Sequence, residues 1–163
     1  MVKAIFKTIL VPVDFSPCSQ AAFSIALQFA QTYQAKVLFL QVIDTKALDT
    51  LNNLDLALPS ERNRQLKKLR HHARTQARHL LQSEEAKPLR VQRFLTEGRP
   101  FVEIVRLARS EKVDLIVMGS YGGQTGDVSR IFFGSTAEQV VRTANCAVLC
   151  VPISPTQFNK QKC

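Results

Sequence analysis

The chain has 163 residues, of which 45% are apolar and 21% charged, and its formal net charge is +9. That length suits one domain, and the apolar share supports one sizeable core, which excludes a disordered chain. No apolar run approaches the ~18 residues of a membrane span, so no membrane span is expected.

Met1–Lys7 has lysines interrupting its apolar residues and runs straight into Ile9-Leu10-Val11-Pro12-Val13. This reads as a lead-in to a first strand rather than an export signal, and it favours the cytoplasm. Pro12 falls near the strand's C-terminal end, where a missing N–H is tolerated. Asp14 follows, then Ser16 as helix N-cap and Pro17 at the first helical position. Ala22, Ile25, Ala26, Phe29 and Ala30 recur at helical spacing up to about Tyr33. Lys36–Ile43 predicts a second strand, apolar on both faces, and residues 44–60 an irregular excursion ending in Pro59-Ser60. With Ser60 as cap, a long helix is predicted from Glu61 to about Gln82, its buried stripe Leu66, Leu69, Ala73, Ala77 and Leu80.

Arg90–Thr96 is a third strand whose polar alternation suits an edge. Gly98 turns the chain, Pro100 opens a helix with Ile104, Leu107 and Ala108 on its core face, and Asp114–Met118 is a fourth strand. After a glycine-rich loop, Thr136–Val141 reads as helix and Ala147–Val151 as a fifth strand; residues 154–163 form a polar, loose tail after a single domain over 1–153. Uninterrupted apolar strands alternating with helices belong to a doubly wound parallel sheet covered on both faces.

The cysteines are Cys18, Cys146, Cys150 and Cys163, with no C-x-x-C pair, so neither a metal cage nor a disulfide framework is indicated. Cys146 and Cys150 read as small buried hydrophobes, and Cys18, near a helix start, reads the same way in preference to a redox centre. The charge is uneven. Residues 61–109 hold 13 Lys and Arg against 5 Asp and Glu, chiefly on the long helix with Arg62, Arg64, Lys67, Lys68, Arg70, Arg74 and Arg78. An acidic partner suits that face; nucleic acid is disfavoured because no aromatics are interleaved to stack on bases. A solvated helix face is the plainer reading. His71, His72 and His79 lie on the same helix, and no residue stands out as a general base.

In such a sheet, ligands bind beyond the carboxyl ends of the strands where the winding reverses. Asp14 follows strand one, Gly119-Ser120-Tyr121-Gly122-Gly123-Gln124-Thr125-Gly126 follows strand four, and Gly134-Ser135-Thr136 opens the next helix. Glycines let backbone amides approach an anion, and the helix start adds unpaired N–H groups and the positive end of its dipole. A carboxylate such as Asp14 accepts hydrogen bonds from ribose hydroxyls. Ribose at one end and phosphate at the other describe a nucleotide. Each feature also has a plain alternative: a strand-ending turn for Gly119 and Gly122, and helix caps for Asp14 and Ser135.

From Thr8 to Pro152 the sequence resembles the universal stress proteins of the UspA type. The likeness rests on Ile9-Leu10-Val11-Pro12-Val13-Asp14-Phe15-Ser16, on Gly98-Arg99-Pro100, on Asp114–Gly119, on Gly119-Ser120-Tyr121-Gly122 with Gly134-Ser135, and on Ala147–Pro152. It implies a Rossmann-like, adenine nucleotide alpha hydrolase-like sheet of five parallel strands in the order 3-2-1-4-5. It further implies an ATP, ADP or AMP site built from Pro12, Val13, Asp14, Val42, Met118, Gly119, Gly122, Gly134, Ser135 and Thr136. There Asp14 would hold the ribose and Val42 would meet adenine through its backbone. The glycines, Ser135 and Thr136 would hold the phosphates, with Mg²⁺ carried by them. Homodimers through strand five, here Val148 to Val151, are also implied.

One departure matters. The ATP-binding pattern is G-x2-G-x9-G-[S/T], but eleven residues, Gly123 to Phe133, separate Gly122 from Gly134 here. Gly123 and Asp127 either bulge out of the cradle or disturb it, with Arg130 available to offset Asp127 or reach a terminal phosphate. Adenylating relatives carry S-G-G-x-D-S after strand one; Asp14-Phe15-Ser16-Pro17-Cys18-Ser19 stands there instead, which disfavours that enzyme class. The expected function is a nucleotide-binding stress-response sensor or regulatory module, at most a slow ATPase. The alternative is a relative without nucleotide binding that acts through protein contacts.

Overall fold

The computed structural model describes residues 5–46, 49–50, 59–82, 86, 88–121 and 134–152. Outside them lie most of the glycine-rich loop, including Gly122, Gly123, Asp127 and Arg130, and the tail 154–163. The elements are β1 (Thr8–Pro12), α1 (Pro17–Tyr33), β2 (Lys36–Asp44), α2 (Pro59–Leu81), β3 (Val91–Gly98), α3 (Pro100–Ser110), β4 (Leu115–Gly119), α4 (Ser135–Thr143) and β5 (Ala147–Val151). The strands form one parallel sheet in the order β3-β2-β1-β4-β5, as the family resemblance implies.

The two-residue period of the strands sorts the core into two layers. Ile9, Val11 and Val13 join Val37, Phe39, Leu115 and Val117 on the face covered by α1 and α2. Leu10, Leu38, Leu40, Ile116 and Met118 face α3 and α4 instead. Both layers are full, which is why the central strands show no polar alternation. Phe23 of α1 meets Phe39 of β2 edge to face at 5.4 Å between centroids, seating the helix on the sheet.

Pro12 ends β1, and the ladder continues beyond it through Val13 N–H donating to the Leu40 carbonyl at 2.8 Å. At the opposite end, Asp114 ties the middle of the sheet together. Its Oδ2 accepts from the backbone N–H groups of Lys7 and Thr8, both at 2.9 Å, and its own N–H donates to the Thr8 carbonyl.

Four local readings are corrected. Lys46, Asp49 and Thr50 are helical, where the sequence suggested an irregular stretch. Ser60 lies inside α2 rather than capping it, because helical residues already begin at Pro59, whose fixed φ suits a first turn. β3 runs two residues further, to Gly98, as a full partner of β2. Leu69 is 42% exposed while Leu66, Ala73 and Ala77 are buried: α2 lies over the β2 margin of the sheet, so only a narrow stripe is covered.

Replacing Asp114 by Ala removes a charged acceptor from two backbone amides at the start of β1. A loss of about 2 kcal/mol is expected, read as a lower urea midpoint with an unchanged denaturant slope. No loss would show that the Asp114 bonds are not stabilising.

Candidate functional site

The chain leaves β1 through a tight turn. Phe15 sits at φ 63°, a left-handed conformation that a bulky side chain adopts only when its neighbours fix it. The fixing comes from Asp14, whose Oδ1 accepts from the Ser16 backbone N–H at 3.0 Å and from the Ser16 hydroxyl at 2.5 Å. The same hydroxyl accepts from the Ser19 N–H at 3.3 Å and so caps α1. Asp14 is exposed, and its Oδ2 takes no hydrogen bond from a described residue.

β4 reaches the same edge of the sheet. At Gly119 a Cβ would lie 2.8 Å from Cys18 Cβ and 3.0 Å from the Ser19 nitrogen. The absence of a side chain therefore lets the end of β4 press against the first turn of α1. Beyond it, Ser120 N–H donates to the Val151 carbonyl, and the Ser120 carbonyl accepts from Gly134 N–H at 2.9 Å. That last bond draws the two ends of the glycine-rich loop together and docks the start of α4 beside β4. The α4 N-cap is Gly134, with no side-chain cap bond. The first amides of α4 are thus available to an anion.

A cleft of about 340 Å³ opens between these segments. Pro12, Val13, Asp14, Val42, Met118, Gly119, Gly134, Ser135 and Thr136 all line it; Gly122 lies outside the described residues. Two of these glycines also serve the fold. The Gly134 amide is engaged by the Ser120 carbonyl, which leaves the first amides of α4 after it without a side-chain cap. Gly119 has a packing reason to be glycine that is independent of any ligand.

Sequence reasoning missed Ser16, Ser19, Leu40, Asp44, Pro100, Ile104, Tyr121 and Ala137 in the lining. Asp44 was within reach of the rule that found Asp14, since it ends β2 on the same edge; its Oδ1 accepts from Lys46 N–H at 2.9 Å. Leu40, Ile104 and Met118 give the cleft an apolar floor. Among the described residues no group of three His, Cys, Asp or Glu could hold a metal.

The three histidines are exposed on α2, and none lines the cleft. Cys18 is buried beneath Gly119. Burial pushes the thiols of the half-buried Cys146 and Cys150 up, which keeps them neutral packing groups.

Comparison with known proteins agrees with this architecture. The profile of the universal stress protein family matches residues 5–152. The universal stress protein MJ0531 of Methanocaldococcus jannaschii is 32% identical over 149 residues, covering 90% of this chain and 82% of that protein. MJ0577 of the same organism is 30% identical over 155 residues, covering 90% and 94%. Its solved structure superposes with a TM-score of 0.77 at 28% identity, covering 93% of this chain and 99% of that one. A universal stress protein solved in complex with cAMP shares the fold, with a TM-score of 0.57 at 24% identity, covering 91% and 98%.

Gly119→Ala forces a methyl group into Cys18 and the backbone of α1. A loss of about 1–3 kcal/mol is expected, measured by thermal or urea unfolding. A variant as stable as the parent would show that the contact between β4 and α1 yields freely.

Proposed function

Because the chain belongs to the universal stress protein family, we propose that it is a nucleotide-binding regulatory module whose ligand lies in the cleft between β1 and β4. One observation carries the reading: residues from four separate stretches of sequence, singled out for a nucleotide, line a single cleft, Gly122 alone falling outside the description. The cAMP complex of a protein with this fold is consistent with the ligand class.

In this reading the base rests on the apolar floor of Leu40, Ile104 and Met118, against the backbone of Val42. The ribose hydroxyls donate to Asp14, whose Oδ2 is the oxygen with capacity to spare. The phosphates lie at the start of α4, where the amides after Gly134 and the hydroxyls of Ser135 and Thr136 meet them. Mg²⁺, when present, would be carried by the phosphates and would neutralise part of their charge. Asp14 and Asp44 keep the sugar end of the cleft acidic, and that sets the polarity of binding, since a phosphate placed there would be repelled.

The binding test is titration with ATP, ADP and AMP, each with and without Mg²⁺, by calorimetry. Affinity tighter than millimolar for at least one of them is expected; failure of all three would overturn the proposal. Asp14→Ala should weaken ribonucleotides by roughly tenfold, the worth of a hydrogen bond to a charged group, and leave inorganic triphosphate little changed. Equal weakening of both would remove the ribose role.

Self-association through β5 belongs to the same proposal. β5 is an outer strand, Ala147 on it and Val141 on α4 are exposed, and Val148, Leu149 and Cys150 are only half-buried. Such an edge is a template for a second copy. Sedimentation equilibrium should show a dimer that Val141→Asp with Ala147→Asp converts to monomer, both side chains being exposed and replaceable without harm to the fold. A monomeric parent would exclude this arrangement.

A further inference from the structure

The cations of α2 are not all alike. Arg62 bonds Asp49 at 2.9 Å, and Arg70 bonds Glu97 of β3. The second pair orients the helix: the flank carrying Arg70 also carries Arg74 and Arg78, at helical spacing, and it faces β3. Arg93 projects from β3 on the same side as Glu97, four residues away along the strand, and its register partner Phe39 belongs to the core layer beneath α1 and α2.

Arg93 is half-buried, and its Nη2 is sealed from solvent with no hydrogen-bond partner. Burial first, and then the charges of Arg74 and Arg78, push its guanidinium down from its ordinary value. Among the described residues no carboxylate pairs with any of these three arginines. A guanidinium does not shed its proton to relieve such crowding, whereas a bound anion would relieve it.

We propose that Arg74, Arg78 and Arg93 form an anion site between α2 and the outer strand β3, which takes the dianionic phosphate of inorganic phosphate or of a small phosphate monoester. The chemistry fits the group. Arg93 supplies a desolvated donor from below, and Arg74 and Arg78 close over it from the exposed helix. A tetrahedral dianion accepts from several guanidinium forks at once, whereas chloride has neither the charge nor the directional acceptors. The site is built from α2 and β3, neither of which contributes a residue to the β1–β4 cleft lining, so it stands or falls independently of the nucleotide reading. The competing local solution is an inward turn of Arg93 toward Gln41. Its Oε1 is also buried without a partner, and its register neighbour Leu95 is two residues from Arg93.

The test reads Arg93 directly. In ¹H–¹⁵N spectra of arginine side chains, its signal is identified by its loss in Arg93→Lys. The intact protein is titrated with sodium phosphate, with glycerol 2-phosphate and with sodium chloride at matched ionic strength. Saturable movement of the Arg93 signal by phosphate or the ester at millimolar concentration is expected, with about tenfold weaker binding in Arg74→Gln with Arg78→Gln, as loss of charge-assisted bonds requires. The tighter of the two tells a site for free phosphate from one for a phosphate monoester. The proposal is overturned if chloride moves the signal equally, if the double variant binds as well as the parent, or if the signal ignores every anion because Arg93 is held on Gln41.

Discussion

The arrangement depends on how closely the end of β4 approaches the first turn of α1. A single missing side chain, at Gly119, sets that distance. Both elements start or finish at the switch point of the sheet, where β1 has β2 on one side and β4 on the other. Because they touch there, the Asp14 turn and the Ser120–Gly134 closure are held on opposite walls of one narrow cleft. A bulkier residue would separate the walls and leave each half in place but unrelated. The constraint is steric and local, and the electrostatics of the cleft follow from it.

The cleft is polarised. One wall carries carboxylates, Asp14 and Asp44, each already accepting from a backbone N–H two residues on. The other carries the start of a helix whose N-cap has no side chain to satisfy its amides. The apolar floor between them separates the two signs of charge and lowers the local dielectric, which strengthens both. The basic surface of α2 lies elsewhere, toward β3. Net charge therefore describes the outside of this molecule and says little about its cleft.

Much of this was legible in the sequence because its causes are local. Ile9 to Val13 and Leu115 to Met118 read as buried parallel strands since both of their faces are covered, and Ser16-Pro17 read as a helix start because cap and proline act within one turn. Asp14, Gly119 and Ser135 were found by their positions at strand and helix ends. Other features depend on contacts distant in sequence. Leu69 follows the periodicity of a core residue, but no periodicity reveals how much sheet lies beneath a helix at the sheet margin. The engagement of the Gly134 amide by Ser120 joins two ends of a loop, and the crowding of Arg93 under α2 joins a strand to a helix. Asp44 was legible in principle, since it ends β2 on the same edge of the sheet as Asp14.

The hydroxyl of Ser16 occupies an unusual place in this scheme. It donates to a carboxylate that looks into the cleft and accepts from the Ser19 amide in the first turn of α1. The side chain of Asp14 is thus shared between two tasks, steadying a left-handed Phe15 and presenting an oxygen outward. A molecule that takes only the outer oxygen leaves the relay intact and locks it further. One that pulls the inner oxygen away must also loosen the helix cap and release the strained turn. A ligand held by this carboxylate would therefore be thermodynamically linked to local order, and the stability of the first turn of α1 would report on it.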